Sequence, residues 1–128
     1  MTLTQALPYP RFSDAEMARR RDAIAATMAE AGVDHLVLYG ANRFGSAIPW
    51  LTRWPVTREA VVVHTPGDAD ALFVHFYNHI PNAQRIATEA EVGWAGPKPA
   101  ETAIEELRKR GAGDGRVGLI GPLGYRAH

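Results

Sequence analysis

Residues 40–64, GANRFGSAIPWLTRWPVTREAVVVH, constrain this chain more than any other stretch. Two tryptophans, a Thr-Arg pair and two prolines fall in a segment that reads as a loop. An almost purely apolar strand follows, Ala60-Val61-Val62-Val63. A loop rarely supplies enough cover to bury large aromatics. Trp50 and Trp54 therefore either plug the domain's own core or form part of a binding wall, and the sequence leaves both readings open.

A chain of 128 residues reads as one domain, long enough to bury a core without staples. Hydrophobic residues make up 46% and charged residues 22%, which places it with globular proteins. Lys plus Arg balance Asp plus Glu at 14 each, so no basic face suggests nucleic acid as a partner. There is no cysteine, which excludes disulfides and thiolate metal sites. No apolar run approaches the ~20 residues of a membrane span, and residues 1–10 lack the pattern of a secretory leader. The expected location is cytoplasmic.

Residues 1–11 read as an irregular lead-in. Helix signals then follow. Ser13 is an N-cap, Glu16 completes a capping box, and Phe12 and Met17 are spaced for a hydrophobic staple. Met17, Ile24, Met28 and Ala31 share a face, and Gly32 provides a left-handed stop. Arg19, Arg20 and Arg21 read as a solvated face. His35–Tyr39 is a buried strand. Ala47–Thr52 reads as a short edge strand limited by Pro49. Arg58–His64 and Ala71–Phe76 form a hairpin around Thr65-Pro66-Gly67-Asp68, with Asp68 and Asp70 solvated in its turn. A short helix falls within 78–87, with Ile80, Ala83 and Ile86 inward, and Glu91–Trp94 is a strand. A second long helix spans Ala100–Arg110, with Ala100, Ala103, Ile104 and Leu107 on its inner face, and Arg116–Ile120 is the last strand. This order gives an α/β layered domain on a mixed sheet.

Strong catalytic clusters are missing. His75 and His79 form an H-x-x-x-H pair with His64 nearby, but the pair straddles a strand end and a helix start, and no glutamate follows His75. The glycines of 111–124 lack the spacing of a dinucleotide loop. Ser13 and Ser46 are the only serines, and neither sits in a nucleophile elbow.

The order of elements and several passages resemble the N-terminal domain of the creatinase/prolidase (Xaa-Pro aminopeptidase) metallopeptidase family. Phe12–Asp34 is similar to the family's opening helix and the turn into its first strand, His35–Tyr39 with Asn42 to that strand and the asparagine after it. Trp50-Leu51-Thr52-Arg53-Trp54 is similar to its aromatic-Leu-Thr-Gly-aromatic segment, with Arg53 where glycine is usual. Glu59–His64, Ala71–Phe76 and Arg116-Val117-Gly118-Leu119 resemble later strands. The resemblance covers about residues 11–128. It implies a three-layer α/β/α sandwich on a mixed sheet of about five to six strands, with a ribonuclease H-like motif. It also implies a non-catalytic role in this chain, since none of the family's five metal ligands has a counterpart here. Two divalent metals such as Mn, Co or Zn would belong to a C-terminal catalytic domain of the same polypeptide. The N-terminal domain would shape the substrate pocket and build a homodimer. Asn42, Arg43, Trp50, Arg53 and Trp54 are then the candidate substrate-binding residues, with Arg43 or Arg53 gripping a carboxylate. Two other classes stand beside this one: a stand-alone binding module using Trp50 and Trp54, and a small metalloenzyme using His64, His75 and His79.

Overall fold

The computed structural model describes residues 12–42 and 45–121. The lead-in 1–11, Arg43 and the end of the glycine-rich stretch beyond Gly121 lie outside the described residues. Five strands form one sheet in the order β4-β3-β2-β1-β5. They are β1 (His35–Ala41), β2 (Glu59–His64), β3 (Asp70–Val74), β4 (Ala90–Trp94) and β5 (Val117–Ile120). The sheet is mixed. β2 runs antiparallel to both neighbours, with Leu38 opposite Val62 and Val62 opposite Leu72. β5 is parallel to β1 and β4 is parallel to β3.

Four α-helices pack on this sheet: α1 (Asp14–Ala31), α2 (Ala47–Thr52), α3 (Ile80–Ile86) and α4 (Pro99–Lys109). The strands alternate faces, and the two faces bury different sets. On one, Leu36, Leu38, Ala60, Val62, Leu72 and Val74 meet Met28 of α1, Ile48 and Leu51 of α2 and Ala83 of α3. On the other, Val61, Val63 and Ala71 meet Ala103 and Leu107 of α4. This is the expected three-layer sandwich, with five strands.

α1 begins where the sequence places it. Ser13 Oγ accepts from the Glu16 N–H at 3.1 Å, a cap that contributes about 1 kcal/mol. Gly32 ends the helix at φ 68°. The Glu16 carboxylate turns to Arg19 and Arg20, each at 2.8 Å. Its hydrogen bonds to Arg19 and Arg20 hold its pKa down to about 2. That contribution is present above the ordinary carboxylate pKa and fades as pH falls towards 2, and at this exposed site salt screens it.

Four local expectations change. Ala47–Thr52 is a helix, because Pro49 stands in its first turn, where no N–H is needed. Of the arginine triplet only Arg19 is solvated. Arg20 is buried, donating to the Glu16 carboxylate and to the Trp50 carbonyl at 2.8 Å. Arg21 pairs with Asp70 at 2.8 Å and with Glu89 at 3.3 Å. Asp70 is not in the turn but opens β3, fully buried, and also accepts from His64 Nδ1 at 2.6 Å. On α4, Ile104 is half exposed and Ala100 is exposed, since the inner stripe runs through Thr102, Ala103, Glu106 and Leu107.

One part of the sheet is thinly covered. α4 lies over β2, leaving a groove of about 790 Å³ lined by Val37, Tyr39, Val61, Ala103 and Leu119. Leu119 is 76% exposed there, which explains why Val37 and Tyr39 of β1 are only half-buried.

Candidate functional site

β1, β3, β4 and β5 point the same way, so their C-terminal ends gather at one end of the sheet, together with the start of β2. In open α/β sheets this is the end that binds ligands. Here it is built by Asn42 after β1, the 53–58 loop before β2, residues 75–79 after β3, and Trp94 closing β4.

The 53–58 loop is strained. Arg53, Val56 and Arg58 have φ of 74°, 57° and 73°. A left-handed conformation costs a non-glycine residue roughly 1–2 kcal/mol and is least expected for β-branched valine. What holds it is core packing on either side. Trp54 and Val56 are both buried, and Leu51 before them is wholly enclosed. Gly40 of β1 makes room. A side chain there would meet Ile48 at 3.3 Å and Val56 at 3.5 Å. The Trp54 N–H donates to Thr52 Oγ1 at 3.1 Å, and the Asn42 N–H donates to the Arg58 carbonyl at 2.8 Å.

The five candidate residues take different places. Asn42 is exposed at this end. Arg43 lies outside the described residues. Trp50 is half-buried against the core, with the Arg20 guanidinium 5.3 Å from its ring. The Arg53 side chain is 7% exposed and donates to the Phe12 carbonyl at 2.9 Å and to Asp14 at 3.1 Å. Trp54 is 1% exposed, in the core. Trp54 thus plugs the core, and it supports this end of the sheet from beneath.

The three histidines do not converge. His64 sits at the far end of β2 with Asp70, while His75 lies 3.4 Å from Glu59 and His79 bonds to Thr57 at 2.8 Å. Among the described residues no group of three or more His, Cys, Asp or Glu is placed to hold a metal ion. The metalloenzyme reading loses its geometry.

Two groups at this end were not singled out from the sequence. Tyr39 OH donates to Glu59 Oε2 at 2.6 Å, and Glu59 faces His75 with its other oxygen. The hydrogen bond to Glu59, then burial, pushes the Tyr39 pKa up to about 12. The raised value means that the neutral phenol stabilises the fold fully below the ordinary pKa near 10. That share is lost as pH rises through 12. Spectrophotometric titration should show one phenol ionising late, absent in Tyr39→Phe and shifted towards its ordinary value in Glu59→Gln. The second group is a row of exposed aromatics, Phe76, Tyr77 and Trp94. Their signal in the sequence was the F-Y pair directly after a strand, in a place where a core residue has no partner.

No protein-family model and no curated protein matches the sequence. Solved structures do match. A Xaa-Pro dipeptidase from Bacillus anthracis superposes with a TM-score of 0.60 at 13% identity, over 74% of this chain and 25% of that one. The aminopeptidase P of Streptococcus thermophilus gives 0.62 at 18% identity, over 80% of this chain and 73% of that one. The creatinase/prolidase-like N-terminal domain of a protein assigned as a metallopeptidase, from Corynebacterium diphtheriae, gives 0.54 at 18% identity, over 81% and 94%. The fold is therefore that of the creatinase/prolidase N-terminal domain, and this chain spans about a quarter of the length of the Bacillus dipeptidase.

Proposed function

We propose that this chain is the non-catalytic N-terminal domain of a Xaa-Pro-peptidase-like metallohydrolase, shaping the substrate pocket and the dimer contacts of a dinuclear-metal domain carried by the same polypeptide. The observation that carries the reading is the shared fold, found both in a domain by itself and within a dipeptidase four times as long as the part matched. The candidate site is consistent with it. The described residues offer no donor set for two metals, so hydrolysis is assigned no step through them. What they offer is a rim: a strained loop held over a packed core, with Asn42 and Arg58 exposed and His75 half exposed along it. Backbone strain of this kind persists only where the surroundings over-determine it, and it gathers at sites that hold ligands.

The edge strand β5 supports the same reading. Val117 and Leu119 are exposed on the α4 side and Ile120 on the other, and exposed apolar residues of this kind are what a further domain or subunit covers.

The kinetic test uses the native polypeptide and a Xaa-Pro dipeptide. Asn42→Ala and Arg58→Ala lie on the exposed rim and leave the core intact, so they should raise KM or lower kcat while circular dichroism stays unchanged. Unaltered kcat/KM in both would remove the pocket-shaping role.

A further inference from the structure

We propose that His75, Glu59 and Tyr39 form a proton-operated latch, which ties the end of β3 to β2 in mild acid and carries the exposed aromatics Phe76 and Trp94 with it. The latch itself stands apart from the proposed function. Only its bearing on a substrate rests on reading this rim as substrate-facing.

The sheet register brings the three groups together. Ala60 pairs with Val74 across the antiparallel ladder of β2 and β3, so one step further along it Glu59 faces His75. On its other side Glu59 pairs with Ala41, which leaves Tyr39 diagonal to it on the same face. Tyr39 OH holds Glu59 Oε2 at 2.6 Å, while His75 Nδ1 stands 3.4 Å from Glu59 Oε1. The first is a strong bond. The second is a gap, since charge-assisted N–H bonds to a carboxylate close to about 2.7–2.9 Å. The carboxylate is fixed through one oxygen, and His75 is the partner left to move.

Protonation closes the gap. An ionised carboxylate only accepts, so the imidazole must bring a hydrogen on Nδ1. A neutral ring does so in one of its two tautomers. An imidazolium always does, and adds a charge. Between the ordinary carboxylate and histidine ranges, roughly pH 4.5–6.5, both members of such a pair are charged. The tie is present in that window and is lost as pH rises above it. His79 differs. Its Nδ1 lies 2.8 Å from Thr57 Oγ1, and a hydroxyl both donates and accepts, so this contact survives either state of the ring. Among the described residues Glu59 is the only acidic group within ion-pair reach of His75. Of the charges on neighbouring elements, Arg58 makes no ion pair among the described residues, and Lys98 before α4 lies 3.9 Å from Glu101. β4 presents Gly93 and Trp94 nearby, neither of which titrates.

The movement is passed on through the contacts of His75. Its carbonyl accepts from Trp94 Nε1 at 3.0 Å, and its ring meets Phe76 edge-on with centroids 4.5 Å apart. Tyr77 meets Trp94 in turn at 6.0 Å. A shift of His75 towards β2 therefore reaches all three exposed aromatics, while His79 stays anchored to the 53–58 loop.

The test follows the Trp94 indole N–H of the labelled 128-residue chain by two-dimensional NMR, from about pH 8 to about pH 5.5. The resonance should move in one step across the histidine range. His75→Gln should abolish that step. Glu59→Gln still offers a neutral oxygen and should shrink it by about half or more. His79→Gln should leave it in place. All three replaced side chains are partly exposed and glutamine is polar, so the folded spectrum should persist. No step in the parent chain, a step that survives His75→Gln, or one of full size in Glu59→Gln would overturn the latch. A step lost in His79→Gln would do the same, since the wrong histidine would then be the sensor. None of these readouts involves hydrolysis or a ligand, so the latch can fail while the accessory-domain reading stands.

Discussion

Asp70→Ala should destabilise the fold by about 3–5 kcal/mol, the cost of removing one partner from a buried ion pair. Asp70 has no solvent exposure and holds two cationic or donor groups at once, Arg21 Nη2 at 2.8 Å and His64 Nδ1 at 2.6 Å. Without it His64 has no partner at either ring nitrogen, because its Nε2 is already buried and unpaired. Arg21 fares better. Its side chain is 23% exposed and can stay with Glu89. The loss therefore comes mostly from the imidazole and from the bond that ties α1 to β3. Urea denaturation of the purified chain measures it. Against a total stability of about 5–15 kcal/mol, such a loss should leave Asp70→Ala partly unfolded at 37 °C. A change under about 1 kcal/mol would show that water replaces the carboxylate and that the network is dispensable.

Trp54→Ala should cost a similar amount, about 3–5 kcal/mol, through the cavity it leaves among Leu51, Ile48 and Val56. The effect should reach the loop as well. Trp54 and Val56 together hold the three left-handed residues in place, so a hollow beneath them releases the strain and loosens Arg58. Trp54→Phe should lose less, since it removes an indole N–H that is buried without a partner and keeps most of the ring. Thermal unfolding of the two variants checks the order. Equal stability for Trp54→Ala and the parent chain would mean that the tryptophan is not the core plug described here.

The fold was legible wherever one local signal sufficed. Ser13, Glu16 and Gly32 bounded α1, and the runs Arg58–His64 and Ala71–Phe76 on either side of a Thr-Pro-Gly-Asp turn marked the hairpin, whose strands are Glu59–His64 and Asp70–Val74. The candidate site was less legible, because its members are linked through distant contacts. Arg20 and Arg21 looked solvated because acidic residues flank them. Their true partners, Trp50 and Asp70, lie 30 and 49 residues away. Asp70 looked like a turn residue because its neighbours are turn residues. Pro49 argued for an edge strand, but it stands in the first turn of a helix whose backbone bonds run from Trp50 N–H to the Ser46 carbonyl and from Arg53 N–H to the Pro49 carbonyl. The two tryptophans were left between core and wall. Trp54 is core, and Trp50 lies half-way. The exposed aromatics gave a weak signal, since Tyr77 and Trp94 are 17 residues apart in sequence and meet only because β3 and β4 are parallel neighbours.

The central claim is that this domain serves a dinuclear-metal domain on the same polypeptide. Intact mass and metal content of the native protein, isolated from its source cells with an antibody to this chain, test that claim most directly. The expected mass is far above 14.0 kDa, with about two equivalents of divalent metal per polypeptide. A mass near 14.0 kDa with no bound metal would contradict it.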